Sequence, residues 1–130
     1  MNVGAEQLAW RGVAIILATI VSLTPLPAFA ADPPYQAKLL RLSEILGSVH
    51  FLRTLCGETG TIWRDSMAGI IQSEKPTPER KAALTAAFNH GYRSFQGVYV
   101  RCTPQATAAI ARYMQEGETL SDDIATRYGN

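Results

Sequence analysis

Apolar side chains recur along most of this chain with the spacing of a helix face. Beginning at Tyr35 they fall at Leu39, Leu42, Leu46, Val49 and Cys56, a 4-3-4-3 rhythm that Ile45 and Leu52 broaden. Such a stripe predicts one long amphipathic helix, and Gly57 after it can take the left-handed conformation that closes a helix C-terminus. A second helix is predicted from Thr61 as N-cap, with Ile62, Trp63, Met67, Ile70 and Ile71 apolar, ending before Pro76. Thr77-Pro78-Glu79 opens a third, with a capping hydroxyl, a proline at the first helical position and a carboxylate near the positive end of the helix dipole. Its apolar face reads Leu84, Phe88, Gly91, Phe95, Val98 and Cys102, again at 4-3-4-3-4. Thr103-Pro104 repeats the start signal for a fourth helix, which carries Ala106, Ala109, Ile110, Tyr113 and Met114 and is expected to end at Gly117. A short last helix from Leu120 to Tyr128, capped by Thr119 or Ser121, then completes the set. No stretch alternates with period two. The expected class is all-α, a small bundle of four to five helices whose short connections make successive helices antiparallel.

A different pattern precedes Tyr35. A short segment ending in Arg11 leads into the apolar run 12–23, followed by the helix breakers Pro25 and Pro27 and the small-residue site Ala28-Phe29-Ala30. This is the layout of a secretory signal peptide over residues 1–30, cleaved between Ala30 and Ala31 to leave a mature domain of residues 31–130. An uncleaved anchor is the competing reading, but the run is well short of the roughly 20 residues a spanning helix needs. No cysteine near the cleavage site suggests a lipid anchor.

Composition then narrows the classes of function. The 130 residues carry a formal net charge of +1, and because Arg11 and Glu6 leave together, the mature domain keeps it. Near-neutrality excludes binding to nucleic acid by bulk phosphate neutralisation. Contact with a membrane is expected only through the signal peptide during export.

Export also gives the two cysteines a meaning. In an oxidising compartment Cys56 and Cys102 are expected to close a disulfide, and with two cysteines in the chain only one pairing exists. An up-down-up bundle makes the first and third helices parallel, with both cysteines at the same end and in phase with their apolar seams. That arrangement supplies the short Cα separation a disulfide needs. The Cys-x-x-Cys spacing of a redox or metal pair is absent.

Pro34-Tyr35, the run Leu-Gly-Ser-Val-His-Phe-Leu-Arg-Thr-Leu-Cys-Gly at 46–57, Trp63-Arg64, Phe-Asn-His-Gly-Tyr-Arg-Ser-Phe at 88–95, Tyr99, Cys102-Thr103 and Glu116-Gly117 together form a recognisable pattern. It resembles an uncharacterised alphaproteobacterial family of exported two-cysteine proteins, domain of unknown function 2385. The resemblance covers essentially the whole mature chain. It implies a periplasmic location, supports the Cys56–Cys102 pairing, and carries no activity, ligand or partner.

Candidate chemistry is sparse. No Gly-rich phosphate loop, His-Glu-x-x-His, EF-hand loop or Gly-x-Ser-x-Gly elbow appears, so no catalytic residue and no cofactor is expected. Arg53 stands where the first helix's seam calls for an apolar residue, and a guanidinium there needs either a local carboxylate, Glu58 or Asp65, or a role in an anion site with Arg64. Trp63, beside Arg64 at the start of the second helix, joins that candidate set. His50 lies beside the seam on a flank of small polar residues, whereas His90 falls off the third helix's seam and faces solvent. The two histidines lack the i, i+4 spacing of a metal pair, so no metal is expected. Phe88, Tyr92, Phe95 and Tyr99 read as core with a hydrogen-bonded tyrosine rim. Gly91, mid-helix, marks either a close helix approach or a kink that opens a shallow pocket near Tyr92 and Arg93.

The reading that follows is a non-catalytic binding or accessory protein of the cell envelope, with an envelope protein or a small anionic ligand as partner. Two alternatives stay open: a small enzyme using His50 or His90 as general base, and a structural module that assembles through an exposed apolar face.

Overall fold

The computed structural model describes residues 30–129, of which Ala31 onward belong to one compact unit. The expected signal peptide therefore lies outside the described residues, except for Ala30, which like Ala31 sits in exposed irregular backbone. Four helices make up the described residues, with no strand among them: α1 (Gln36–Leu55), α2 (Ile62–Glu74), α3 (Pro78–Gln96) and α4 (Pro104–Tyr128).

Their starts follow the predicted chemistry. Thr77 and Thr103 each accept a hydrogen bond from a backbone N–H three residues on, Arg80 and Ala106, and Pro78 and Pro104 occupy the first helical position. Thr61 precedes α2 but makes no capping bond; its hydroxyl donates to Asp65 instead. Lys75, in the left-handed conformation at φ 44°, ends α2 just ahead of Pro76.

Helix α1 is the centre. It packs against each of the other three, α2 touches α3 lightly, and α4 packs chiefly on α1, meeting α3 through the edge-to-face contact of Tyr113 with Phe95. From Leu42 to His50 every α1 residue except Glu44 is buried, so its two inward serines must find partners within the helix. Ser43 donates to the Leu39 carbonyl and Ser48 to the Glu44 carbonyl. One core cluster joins Leu39, Leu42, Leu46, Met67, Leu84 and Phe88; a second, nearer the disulfide, joins Leu52, Ala106 and Ala109 with Phe51, Phe95 and Tyr113 against it.

Helices α1 and α3 run parallel. Arg80 donates to Gln36 near their starts, Gly47 faces the stretch Phe88–Tyr92 midway, and Cys56 meets Cys102 at the far end. The two sulfurs are 2.00 Å apart with Cα atoms 4.8 Å apart, at bonding distance. Midway, the helices touch backbone to backbone: a Cβ on Gly47 would stand 1.9 Å from the Phe88 carbonyl oxygen, and one on Gly91 would stand 1.9 Å from that of Glu44. The two glycines are reciprocal, each seated on the other helix. Close approach, not a kink, is the use of Gly91.

Two expectations are corrected. Helix α3 does not continue through Val98 to Cys102 but ends at Gln96, leaving Val98 66% exposed and Val100 89% exposed. Pro104 requires extended backbone at Thr103, and the chain must reverse within a few residues; glycine at 97 and β-branched residues at 98 and 100 make unwinding there cheap. Nor does Gly117 end a helix. Helix α4 runs unbroken from Pro104 to Tyr128, so the predicted fifth helix is its second half, and Thr119 bonds back to the Gln115 carbonyl instead of capping. Gly117 is buried there against Ile45 and Leu42 of α1. Ion pairs on either side, Arg41 with Glu116 and Lys38 with Asp123, tie the helix to α1.

Candidate functional site: a cleft at His50

Three of the residues singled out in the sequence converge. His50 on α1, Arg64 on α2 and Tyr92 on α3 line one cleft of about 460 Å³, together with Met67, Ala68, Ile71, Thr85, Phe88 and Asn89. The Gly47–Gly91 contact explains why they meet. By bringing α3 against α1 it sets the His50 ring 6.1 Å from the Phe88 ring and 5.6 Å from that of Tyr92, centroid to centroid. Phe51 fixes Tyr92 from behind through an edge-to-face contact at 5.4 Å. Helix α2 closes the other side, with Met67 buried against Phe88 and Ile71 beside it.

His50 is 8% exposed, yet no hydrogen bond joins its ring to another described residue, and neither ring nitrogen is sealed from solvent. Its free nitrogens therefore open into the cleft. Burial lowers the imidazole pKa below its ordinary value and the Arg64 charge lowers it further, while the Glu58 carboxylate acts in the opposite sense. At neutral pH the ring is uncharged and offers one donor and one acceptor. Arg64 is exposed and forms no ion pair with a described carboxylate. A mostly apolar hollow with a few convergent polar groups is the ordinary form of a small-molecule site.

The other candidates lie elsewhere. Arg53 does not join Arg64: its Nε donates to Glu58, whose second oxygen accepts from Trp63 Nε1 at 2.6 Å, and its guanidinium lies 5.6 Å from the Trp63 ring. These donors hold the Glu58 carboxyl below the usual carboxylate range. The triad braces the α1–α2 turn. His90 has a 71% exposed side chain, 3.9 Å from Glu44, and Arg93 is exposed in the last turn of α3. The tyrosine rim is not hydrogen-bonded among the described residues; Tyr99 stacks on Phe95 instead. Among those residues no cluster of three metal-ligating side chains occurs.

Sequence reasoning missed Thr85, Asn89, Met67 and Ile71 as cleft residues. A signal existed in part, because Thr85, Asn89 and Tyr92 repeat at 4-3 spacing and form a polar stripe beside the Leu84–Phe88 seam. A second cleft, about 530 Å³, lies over Leu42, Ile45, Leu46 and Val49 between Trp63 and the α4 residues Tyr113, Met114 and Glu118. No arginine or histidine lines it.

Residues 34–128, and with them all four helices, both cysteines and every His50-cleft residue, match the family described as "Protein of unknown function (DUF2385)". The chain belongs to this family. No curated protein and no solved structure matches it. DUF2385 membership therefore fixes kinship and leaves the chemistry to the cleft itself.

Proposed function

We propose that this DUF2385 protein is an exported, periplasmic, non-catalytic binding or accessory protein of an alphaproteobacterial cell envelope, and that its site is the His50 cleft. The carrying observation is the buried imidazole whose nitrogens find no protein partner and open into that cleft. Solvent reaches both nitrogens, so a ligand seated in the cleft can replace water as their hydrogen-bond partner. Export is supported by the signal-like pattern over residues 1–30 and by the Cys56–Cys102 bond. Binding is favoured over general-base catalysis because no described carboxylate orients the His50 ring and no described hydroxyl hydrogen-bonds it.

Expression of the full chain in a bacterial host, followed by cell fractionation and N-terminal sequencing, tests the location. A periplasmic product beginning at Ala31 is expected; a membrane-retained product beginning at Met1 overturns cleavage, and a cytoplasmic product overturns export. For the site, amide resonances of His50, Arg64, Asn89 and Tyr92 in isotope-labelled protein are expected to move together when a small-molecule library is screened. Movement only around Leu42, Tyr113 and Met114 would transfer the function to the second cleft.

A further inference from the structure

We infer that the His50 cleft recognises a carboxylate attached to an apolar body, with Arg64 and His50 on the carboxylate and Met67, Ile71 and Phe88 under the hydrocarbon. The inference rests on the cleft being the binding site and assigns its ligand class.

The polar groups of the cleft are unequal. Arg64 is its only charged side chain, sits exposed in the first turns of α2, and has no described carboxylate across from it. A planar guanidinium with free N–H groups matches the two oxygens of a carboxylate and forms paired, charge-assisted hydrogen bonds with it. His50 lies deeper, and as a neutral ring it donates one N–H without adding a second charge. Glu58 does not compete for Arg64, because Arg53 and Trp63 already occupy both its oxygens. Arg64 is thus poised for an anion that comes from outside the chain.

The rest of the lining selects the body of that anion. Met67 and Phe88 are buried core residues whose surfaces form the base of the cleft, and Ala68 and Ile71 extend it along α2. Methionine adapts its shape to varied apolar groups. Tyr92 adds an aromatic face, and Asn89 and Thr85 stand at the α3 rim with amide and hydroxyl groups. A bare inorganic anion would satisfy Arg64 and leave that apolar surface wet; a neutral hydrocarbon would cover the surface and leave Arg64 and His50 unmatched. An apolar carboxylate answers both. The same chemistry is presented by a free aliphatic or aromatic acid and by the C-terminal residue of a peptide.

The test uses protein purified after expression of the full chain, isotope-labelled, and titrated with five probes: octanoate, phenylacetate, methyl phenylacetate, inorganic phosphate, and an acetylated tripeptide ending in phenylalanine. Octanoate or phenylacetate is expected to shift His50, Arg64, Asn89 and Tyr92 to saturation, with methyl phenylacetate and phosphate binding at least about tenfold more weakly. Saturation by the tripeptide in preference to the free acids supports the inference and names the peptide terminus as the source. Arg64→Gln, at an exposed position where the fold is not at stake, is expected to weaken the acids by on the order of tenfold while leaving the methyl ester unchanged. Equal binding of ester and acid, or indifference of the acids to Arg64→Gln, overturns the carboxylate inference and leaves the cleft standing as a site. Saturating binding of phosphate alone overturns the apolar half. Failure of all five probes to move any cleft resonance overturns the inference, and if the wider screen is equally silent there, the site reading falls with it.

Discussion

Helix α1 meets its two long neighbours in opposite ways. Against α3 it runs parallel with glycines interlocked and the backbones in contact; against α4 it runs antiparallel with side chains between them. The α4 side has its own glycine, Gly117, but a Cβ there would stand 3.3 Å from the Ile45 Cγ2 atom, the movable end of a side chain, not 1.9 Å from a carbonyl. It also has tethers that solvent reaches: Arg41 with Glu116, Lys38 with Asp123, and Tyr35 tilted against Tyr128 with ring centroids 5.1 Å apart. The first interface has no slack, and the second has a good deal. The His50 cleft is built on the first, which keeps its aromatic walls in place.

The comparison can be broken at several points. Largest is the covalent closure of the α1–α3 side. Cys56→Ser with Cys102→Ser is expected to cost on the order of 4 kcal/mol for a 46-residue loop, read as a lower denaturation midpoint that reducing agent reproduces in the native chain. Next is Gly91→Ala, or equally Gly47→Ala, expected to cost about 3 kcal/mol because two backbones must part; a loss below about 1 kcal/mol in chemical denaturation would mean the parallel pair is not rigid. Gly117→Ala sharpens the contrast. Its helix-propensity gain of about 1 kcal/mol offsets the displacement of Ile45, and a melting temperature close to that of the native chain is expected.

A modest loss is expected for Glu116→Gln, under about 1 kcal/mol, because the pair with Arg41 is partly exposed. The Arg41 guanidinium holds the Glu116 carboxyl below its ordinary pKa. Its stabilisation is therefore present above the usual carboxylate range and is lost as pH falls through the lowered folded value. The least is the histidine effect. His50 is harder to protonate folded than unfolded, so stability is complete above the ordinary histidine pKa and declines as pH falls below it; His50→Gln is expected to flatten that part of the stability–pH curve.

What was legible in the chain followed from local rules. The threonine–proline starts of α3 and α4, the seam of α1 and the pairing of Cys56 with Cys102 each depend on a few neighbouring residues or on a single allowed partner. Gly117 misled because its meaning lies on another helix: its missing side chain makes room for Ile45, and no helix-ending residue follows it. Arg53 was read with two outcomes, and the structure places it with Glu58 and Trp63. The cleft was half legible. Its polar members stood out one by one, but their convergence depends on how α2 and α3 are rotated about α1, which no single helix's periodicity contains.

That α4 packs chiefly on α1, with a single aromatic contact to α3, has a further consequence. The covalent loop from Cys56 to Cys102 encloses α2 and α3 and ends just before α4 begins, so α4 can peel away without stretching any bond in that loop. Amide hydrogen exchange should then resolve two cooperative units, α4 opening at lower free energy than the stapled trio. Such an opening would uncover the row Leu42, Ile45 and Val49, and the bundle would present to water a long apolar stripe that the closed form keeps to itself.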